Sequence, residues 1–223
     1  MKKFKFILMI AAFVFGFSAM AQFTYGPKVG LNLANVSGDD VDNNKMLIGF
    51  NAGLLGNYAF GDMFSVQVEA MYDAKGAKYE GTDENGNDKT YPFSLGYISI
   101  PIMAKATFGD DIKFFGEIGP TIGLLMSAKM DGESEYEVPT GFNPQTGQFT
   151  YETIKVKDSY KSTDIGLVFG VGTLLPAGNM KVMIDARYNM GLGTIAEKPD
   201  EGDAADIKNG VISINVGLIF GGE

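Results

Sequence analysis

The sequence predicts an all-β fold, an eight-stranded antiparallel up-and-down transmembrane β-barrel with short periplasmic turns and long extracellular loops. Three observations lead there. The chain repeats short runs in which apolar side chains alternate with small or polar ones. Phe64, Val66, Val68, Ala70 and Tyr72, for example, interleave with Ser65, Gln67, Glu69, Met71 and Asp73. Successive strand residues face opposite sides, so such a run is greasy on one face and wet on the other. Long polar links alternate with very short ones, as in barrels with wide loops outside the cell and tight turns within. An even strand count with both ends on the short-turn side lets the sheet close without an edge unpaired in lipid.

The 223-residue chain opens on a targeting pattern. Lys2, Lys3 and Lys5 precede the apolar stretch from Phe6 to Phe17, and Ser18-Ala19-Met20-Ala21 supplies a small-x-small cleavage site. The apolar stretch is too short to span a bilayer core of ~30 Å comfortably. Residues 1–21 therefore read as a cleaved signal peptide and 22–223 as one barrel domain, exported to the outer membrane. Cleavage removes three lysines and no acid, taking the formal charge from −9 to −12. So acidic a chain lacks the Lys/Arg clusters that bind phosphate backbones, which excludes nucleic acid as a partner. Histidine and cysteine are both absent, which removes the commonest general base and the usual zinc and haem ligands. No cofactor, metal site or catalytic residue is expected.

Each strand is read from its alternation. The first, Phe23 to Ala34, turns Tyr25, Val29, Leu31 and Leu33 outward and Lys28, Gly30, Asn32 and Ala34 inward. After the polar loop Val36 to Lys45, the second turns Ile48, Phe50, Ala52, Leu54, Tyr58 and Phe60 outward. Gly61-Asp62 has short-hairpin chemistry and leads to the third strand, Phe64 to Lys75. A long link, Gly76 to Phe93, carries Asn85-Gly86 at its expected tip. The fourth strand puts Ile98, Ile100, Ile102, Ala104, Ala106 and Phe108 outward and Tyr97, Ser99, Met103 and Lys105 inward.

Gly109-Asp110-Asp111 turns into the fifth strand. There Phe114, Ile118, Ile122, Leu124 and Met126 oppose Phe115, Glu117, Thr121, Gly123 and Ser127. The longest link, Lys129 to Lys161, contains Asn143-Pro144-Gln145-Thr146-Gly147, a turn between two polar strands of a protruding hairpin. The sixth strand sets Ile165, Leu167, Phe169, Val171 and Thr173 against Asp164, Gly166, Gly170 and Gly172. Past the turn Pro176 to Asn179, the seventh sets Val182, Ile184, Ala186, Tyr188 and Met190 against Asp185, Arg187, Asn189 and Gly191. An acidic loop, Thr194 to Asn209, precedes the last strand, with Ile212 to Phe220 outward. Aromatic residues near strand ends, among them Tyr25, Phe60, Phe108 and Phe220, suit interfacial girdles.

Pro27, Pro101 and Pro120 fall inside strands, where a missing N–H marks a bulge or an edge. If Phe108 pairs with Ile112, Pro101 and Pro120 are cross-strand neighbours at a bulge, and Lys105 lies diagonal to Glu117.

Several segments resemble the PorT-like family of small outer-membrane β-barrel proteins. They are Gly26-Pro27-Lys28-Val29-Gly30-Leu31-Asn32, Ile98-Ser99-Ile100-Pro101-Ile102-Met103-Ala104-Lys105, Gly119-Pro120, Gly170-Val171-Gly172 and Asp185-Ala186-Arg187-Tyr188. The resemblance implies an outer-membrane location and, by the family's name, an accessory role in protein secretion. It departs at the end, where Gly221-Gly222-Glu223 displaces the aromatic Phe220 from the terminus.

Charged side chains gather on the inward face: Lys28, Glu69, Asp73, Lys105, Glu117, Asp164, Asp185 and Arg187. Eight strands leave an interior just wide enough for side chains to fill. The expected arrangement is an ion-pair plug, since buried charges are normally paired. The alternative is a narrow porin-like path for ions or small solutes lined by Glu69, Glu117 and Arg187. Inward glycines (Gly30, Gly49, Gly53, Gly119, Gly123, Gly166, Gly170 and Gly172) keep that alternative open. Acidic loop groups (Asp39, Asp40, Asp42; Asp83, Glu84, Asp88; Asp131, Glu133, Glu135, Glu137; Asp200, Glu201, Asp203, Asp206) read as solvated charge. Tyr136, Phe142, Phe149 and Tyr151 on the long loop are candidates for contact with a protein or surface ligand. A monomer in outer-membrane lipid and lipopolysaccharide, non-enzymatic and structural or surface-interacting, is the expected protein.

Overall fold

A computed structural model describes residues 22–38, 41, 44–83, 85–146, 148–198 and 205–222, with Phe142 and Asn143 described by their backbone. The expected signal segment and Asp39, Asp40, Asp42, Glu84, Asp200, Glu201 and Asp203 lie outside the described residues. The strands are β1 (Phe23–Ser37), β2 (Asn44–Ala59), β3 (Phe64–Thr82), β4 (Asp88–Phe108), β5 (Lys113–Met130), β6 (Glu135–Asn143), β7 (Gln148–Lys155), β8 (Thr163–Ala177), β9 (Met180–Gly191) and β10 (Lys208–Gly221). Eight of them close in the order β1-β10-β9-β8-β5-β4-β3-β2, every pair antiparallel. β6 and β7 pair only with each other, as the protruding hairpin expected from the sequence.

The cylinder is inverted relative to a water-soluble fold. Leu31, Ile48, Leu54 and Val171 are 63–67% exposed, whereas Lys28, Glu69 and Asp185 are 1–2% exposed. Apolar atoms facing out and charges facing in suit a surrounding solvent of hydrocarbon. Aromatic residues meet near the short-turn end, with Tyr25 against Phe220, Tyr58 against Phe60 and Phe108 against Phe114 at ring-centroid distances of 6.2, 5.0 and 6.2 Å.

Four readings need correction. Phe108 pairs with Phe114 rather than Ile112, which puts Lys105 directly opposite Glu117. Pro101 pairs with Thr121 and the ladder skips two rows before resuming in unchanged register at Ala104 and Ile118. The missing proline donors thus open the ladder there without a bulge. The bulge in this hairpin sits higher: Gly96 opposes Ser127 and Tyr97 opposes Leu125, so Met126 is the extra residue. In consequence Ser127 is exposed, not inward, and Ala128 is buried instead. Finally, the link Gly76 to Phe93 is mostly strand, since β3 and β4 stay paired up to Thr82 and Asp88. Only the tip around Asn85-Gly86 is a turn, with φ of 79° at Gly86.

Candidate functional site

The interior is built in three layers. The middle one holds Lys28 (β1), Glu69 (β3), Lys105 (β4), Glu117 (β5), and Asp185 and Arg187 (β9), all inward by strand alternation. Arg187 is its hub. Its Nη1 lies 2.8 Å from Glu69 Oε2, its Nη2 2.6 Å from Glu117 Oε1, and its Nε 2.9 Å from Asp185 Oδ1. Lys28 Nζ sits 3.2 Å from both Glu69 Oε1 and Asp185 Oδ2. Lys105 Nζ donates to Gln67 Oε1 at 2.9 Å, lies 3.6 Å from Glu117 Oε2 and stands 3.5 Å from the centroid of the Phe115 ring. Lys28, Lys105 and Arg187 therefore balance Glu69, Glu117 and Asp185 charge for charge. Burial without such balance would cost several kcal/mol per ion, by roughly the effective penalty known for buried charges.

Asp164 stands apart from this group. It pairs with Lys75 at 2.9 Å and accepts from Asn209 Nδ2 at 2.9 Å. Lys75 also lies 4.9 Å from the centroid of the Tyr97 ring. Lys75 is absent from the expected inward charges although it lies in the expected third strand, where the alternation of Met71 and Asp73 turns it inward. Asp73 faces the lumen but joins no ion pair among the described residues, and accepts only a long 3.5 Å contact from Asn32 Nδ2. Asn51 Nδ2 donates to Asn32 Oδ1 at 2.7 Å and to Asn215 Oδ1 at 2.8 Å, and Asn215 Nδ2 donates to Asp185 Oδ1 at 2.6 Å. These amides carry the polar layer from Asp185 across the lumen to Asn32 and Asp73.

Apolar side chains close the layer on both sides. Towards the short turns lie Leu55, Phe115, Met183 and Ile219, with Leu174 against them. Towards the long loops lie Val36, Ala77, Phe93, Leu95, Tyr97, Leu125, Ala128, Val156 and Ile195. Val156 and Ile195 come from loops that fold over the mouth, the second held by Ile195 N–H to Ile207 O at 2.7 Å and Lys161 N–H to Ile195 O at 2.8 Å.

Between these layers the barrel keeps a cavity of about 40 Å³, lined in part by Lys28, Glu69, Ser99, Thr121, Arg187 and Asn215. That is room for water and for nothing much larger. The inward glycines do not widen it. A Cβ on Gly170 would lie 2.8 Å from Glu117 Oε1, on Gly172 2.4 Å from Phe115 Cζ, and on Gly123 3.2 Å from Tyr97 Cδ1. Their missing side chains make room for the neighbours that fill the lumen.

On the outer hairpin, Tyr136, Phe149 and Tyr151 are exposed, and the Phe149 and Tyr151 rings lie tilted at 54° with centroids 6.5 Å apart. Phe142 pairs with Phe149 in the ladder, and its side chain is outside the described residues. Among the described residues, no three carboxylates converge in a way that would hold a metal ion.

An antiparallel eight-stranded cylinder with an apolar exterior and a polar, filled interior defines a small outer-membrane β-barrel protein. The chain belongs to the outer membrane protein beta-barrel domain family, which matches it over residues 18–197, and its location is the outer membrane. No curated protein matches it. Among solved structures it is similar to the outer membrane protein OprG of Pseudomonas aeruginosa, with 11% identity over 90% of this chain and 96% of that one and a TM-score of 0.47. Neisserial surface protein A is 15% identical over 89% and 97%, with a TM-score of 0.46. Ail of Yersinia pestis, solved with the heparin analogue sucrose octasulfate, is 18% identical over 89% and 99%, with a TM-score of 0.43. The likeness goes no further than the fold.

Proposed function

We propose that this protein is a closed, non-enzymatic barrel whose interior is plugged by ion pairs and whose role is structural or surface-interacting. Its place is that of a monomer in outer-membrane lipid and lipopolysaccharide. Its contacts with a protein or surface ligand are made through the long-loop end, where Tyr136, Phe142, Phe149 and Tyr151 stand. One observation carries this reading: a charge-balanced network centred on Arg187 lies between two apolar layers, with only about 40 Å³ left empty. A conducting path needs a continuous wet lumen, and here an apolar layer lies on each side of the charged network. The test is conductance of the purified barrel in a planar bilayer. The bilayer is expected to stay silent; steady unitary currents would replace this reading with that of a narrow channel. The finer PorT-like grouping and its secretion role rest on the resemblance alone. Deletion that traps secreted cargo in the periplasm would support them, and normal export would remove them.

A further inference from the structure

The charged interior holds one more acid than base among the described residues. The network around Arg187 balances charge for charge, and Lys75 is taken by Asp164 at 2.9 Å. Asp73 is the carboxylate left over. It stands half-buried at the wall of the central cavity and forms no ion pair among the described residues. Its side-chain donor is Asn32 Nδ2 at 3.5 Å, and that amide lies closer to Ala74 O at 3.0 Å and Phe50 O at 3.4 Å.

Three more buried oxygens line the same cavity without a protein partner. Asn51 stands directly opposite Asp73 across β2 and β3. Its Nδ2 donates to Asn32 Oδ1 and Asn215 Oδ1, which leaves its own Oδ1 unbonded. Turning this amide over would set its oxygen against both of those acceptors, so the hydrogen-bond network fixes its orientation. Asp73 pairs with Tyr97, which places Ser99 one step along the diagonal; Ser99 pairs with Gly123, which places Thr121 one step further. The Ser99 and Thr121 hydroxyls are unbonded too, and Asn51, Ser99 and Thr121 are only 3%, 1% and 5% exposed. Diagonal neighbours on one face of a sheet lie about 7–8 Å apart, near enough for a group held between them to reach both. The four side chains thus form a row of oxygens across β2, β3, β4 and β5, along a cavity of about 40 Å³.

Positive charge is what this row lacks. A buried carboxylate without a counter-charge is costly, and Lys28, Lys75 and Arg187 are already matched by other acids. One excess negative charge asks for one positive charge. Ca²⁺ would overcompensate, and it draws on six to eight oxygens, commonly from several carboxylates. We propose that the central cavity binds one alkali cation, Na⁺ or K⁺, with Asp73 supplying the charge and Asn51 Oδ1, Ser99 Oγ and Thr121 Oγ1 the neutral oxygens. The cavity is large enough for a water beside the ion to share these contacts. The ion enters as the barrel folds, because apolar layers cover the cavity on both sides. It completes the charge balance of the interior.

The test is urea unfolding of barrel refolded into detergent, in mixtures of NaCl or KCl with choline chloride at constant ionic strength. The folding constant is expected to rise as the alkali cation replaces choline, by up to about twofold per doubling, as one bound ion requires. Asp73→Asn keeps the shape, removes the charge and is expected to abolish that rise. Ser99→Ala/Thr121→Val removes two neutral oxygens and is expected to shift the rise to higher cation concentration; it carries the test if Asp73→Asn does not refold. Equal stability in all three salts overturns the proposal, since the carboxyl then holds a proton and the cavity water alone. A rise that survives in Asp73→Asn overturns it as well and assigns the ion to the acidic loops. A conducting barrel that keeps the cation dependence defeats the closed-barrel reading alone; a silent barrel without it defeats this proposal alone.

Discussion

Arg187 holds Glu69 in a fork, Nη1 to Oε2 and Nη2 to Oε1, both at 2.8 Å, across 118 residues of sequence. Strand β9 supplies one and β3 the other, and these strands are not neighbours in the sheet. The contact therefore crosses the lumen rather than running along its wall. A bidentate guanidinium–carboxylate pair is planar and directional, so it fixes the two walls relative to each other as well as neutralising charge.

Removing the hub leaves three buried carboxylates facing Lys28 and Lys105. Arg187→Ala is expected to destabilise the barrel by about 3–5 kcal/mol, the cost of stranding buried charge. Arg187→Lys keeps the charge without the fork and is expected to fall between the two. Denaturant unfolding in detergent, followed by tryptophan-free tyrosine fluorescence or gel migration, gives the order; an Arg187→Ala barrel as stable as the parent would show that the network is not what braces the lumen.

The upper pair allows a sharper test, since Lys75 and Asp164 meet at 2.9 Å with both side chains only 3% exposed. Lys75→Met alone strands Asp164 and is expected to cost several kcal/mol, about as much as breaking any buried pair. Adding Asp164→Leu is expected to recover most of that loss, because replacing both partners by apolar groups is often close to neutral. A double variant less stable than the single would point to Asn209 or Tyr97 as the group that needs the carboxylate.

The facing of most strands was legible because lipid outside and packed polar groups inside enforce a two-residue period. Legibility failed where that period was interrupted or lost its contrast. The extra residue at Met126 flips the phase beyond it, so Ser127 and Ala128 exchange roles. Above Lys75 the strands leave the apolar belt, and Lys78 and Glu80 carry no greasy outer face to betray that β3 continues to Thr82, although Tyr79 between them packs on the upper core. The inward charges were legible one by one. Their pairing was not, because which side chains meet across the lumen depends on strand tilt and shear. The Asp131-Gly132 turn was within reach: Asp-Gly after an alternating run is a strong hairpin signal.

Gly172 decides between a filled and an open lumen. A Cβ there would lie 2.4 Å from Phe115 Cζ and 2.5 Å from Ile184 O. Gly172→Ala is expected to destabilise by roughly 1–3 kcal/mol, the usual cost of overpacking. Pairing it with Phe115→Leu relieves the ring contact and is expected to return part of the stability, read from the same unfolding curves. An open lumen would accept the methyl group without loss.

The tip of the β3–β4 hairpin responds to acid through Asp83. Its carboxylate accepts from Asn87 N–H at 2.8 Å, Asn87 Nδ2 at 3.1 Å and Asn85 N–H at 2.9 Å. The backbone hydrogen bond from Asn87 is the leading cause that holds its pKa below the ordinary aspartate value, with the Asn87 side chain next. The sign follows from that direction. A carboxyl depressed by folding stabilises the folded tip above the unfolded value, about 3.9 for aspartate, and that contribution fades as pH falls through the lower folded value. Carboxyl-carbon NMR of the barrel in micelles is expected to show Asp83 titrating below the other exposed aspartates. Asn87→Ala, which removes the side-chain donor and keeps the backbone one, is expected to move it part of the way back up. If Asp83 titrates at the ordinary aspartate value, the carboxylate does not organise this turn, and the Asn85-Gly86 backbone alone must set it.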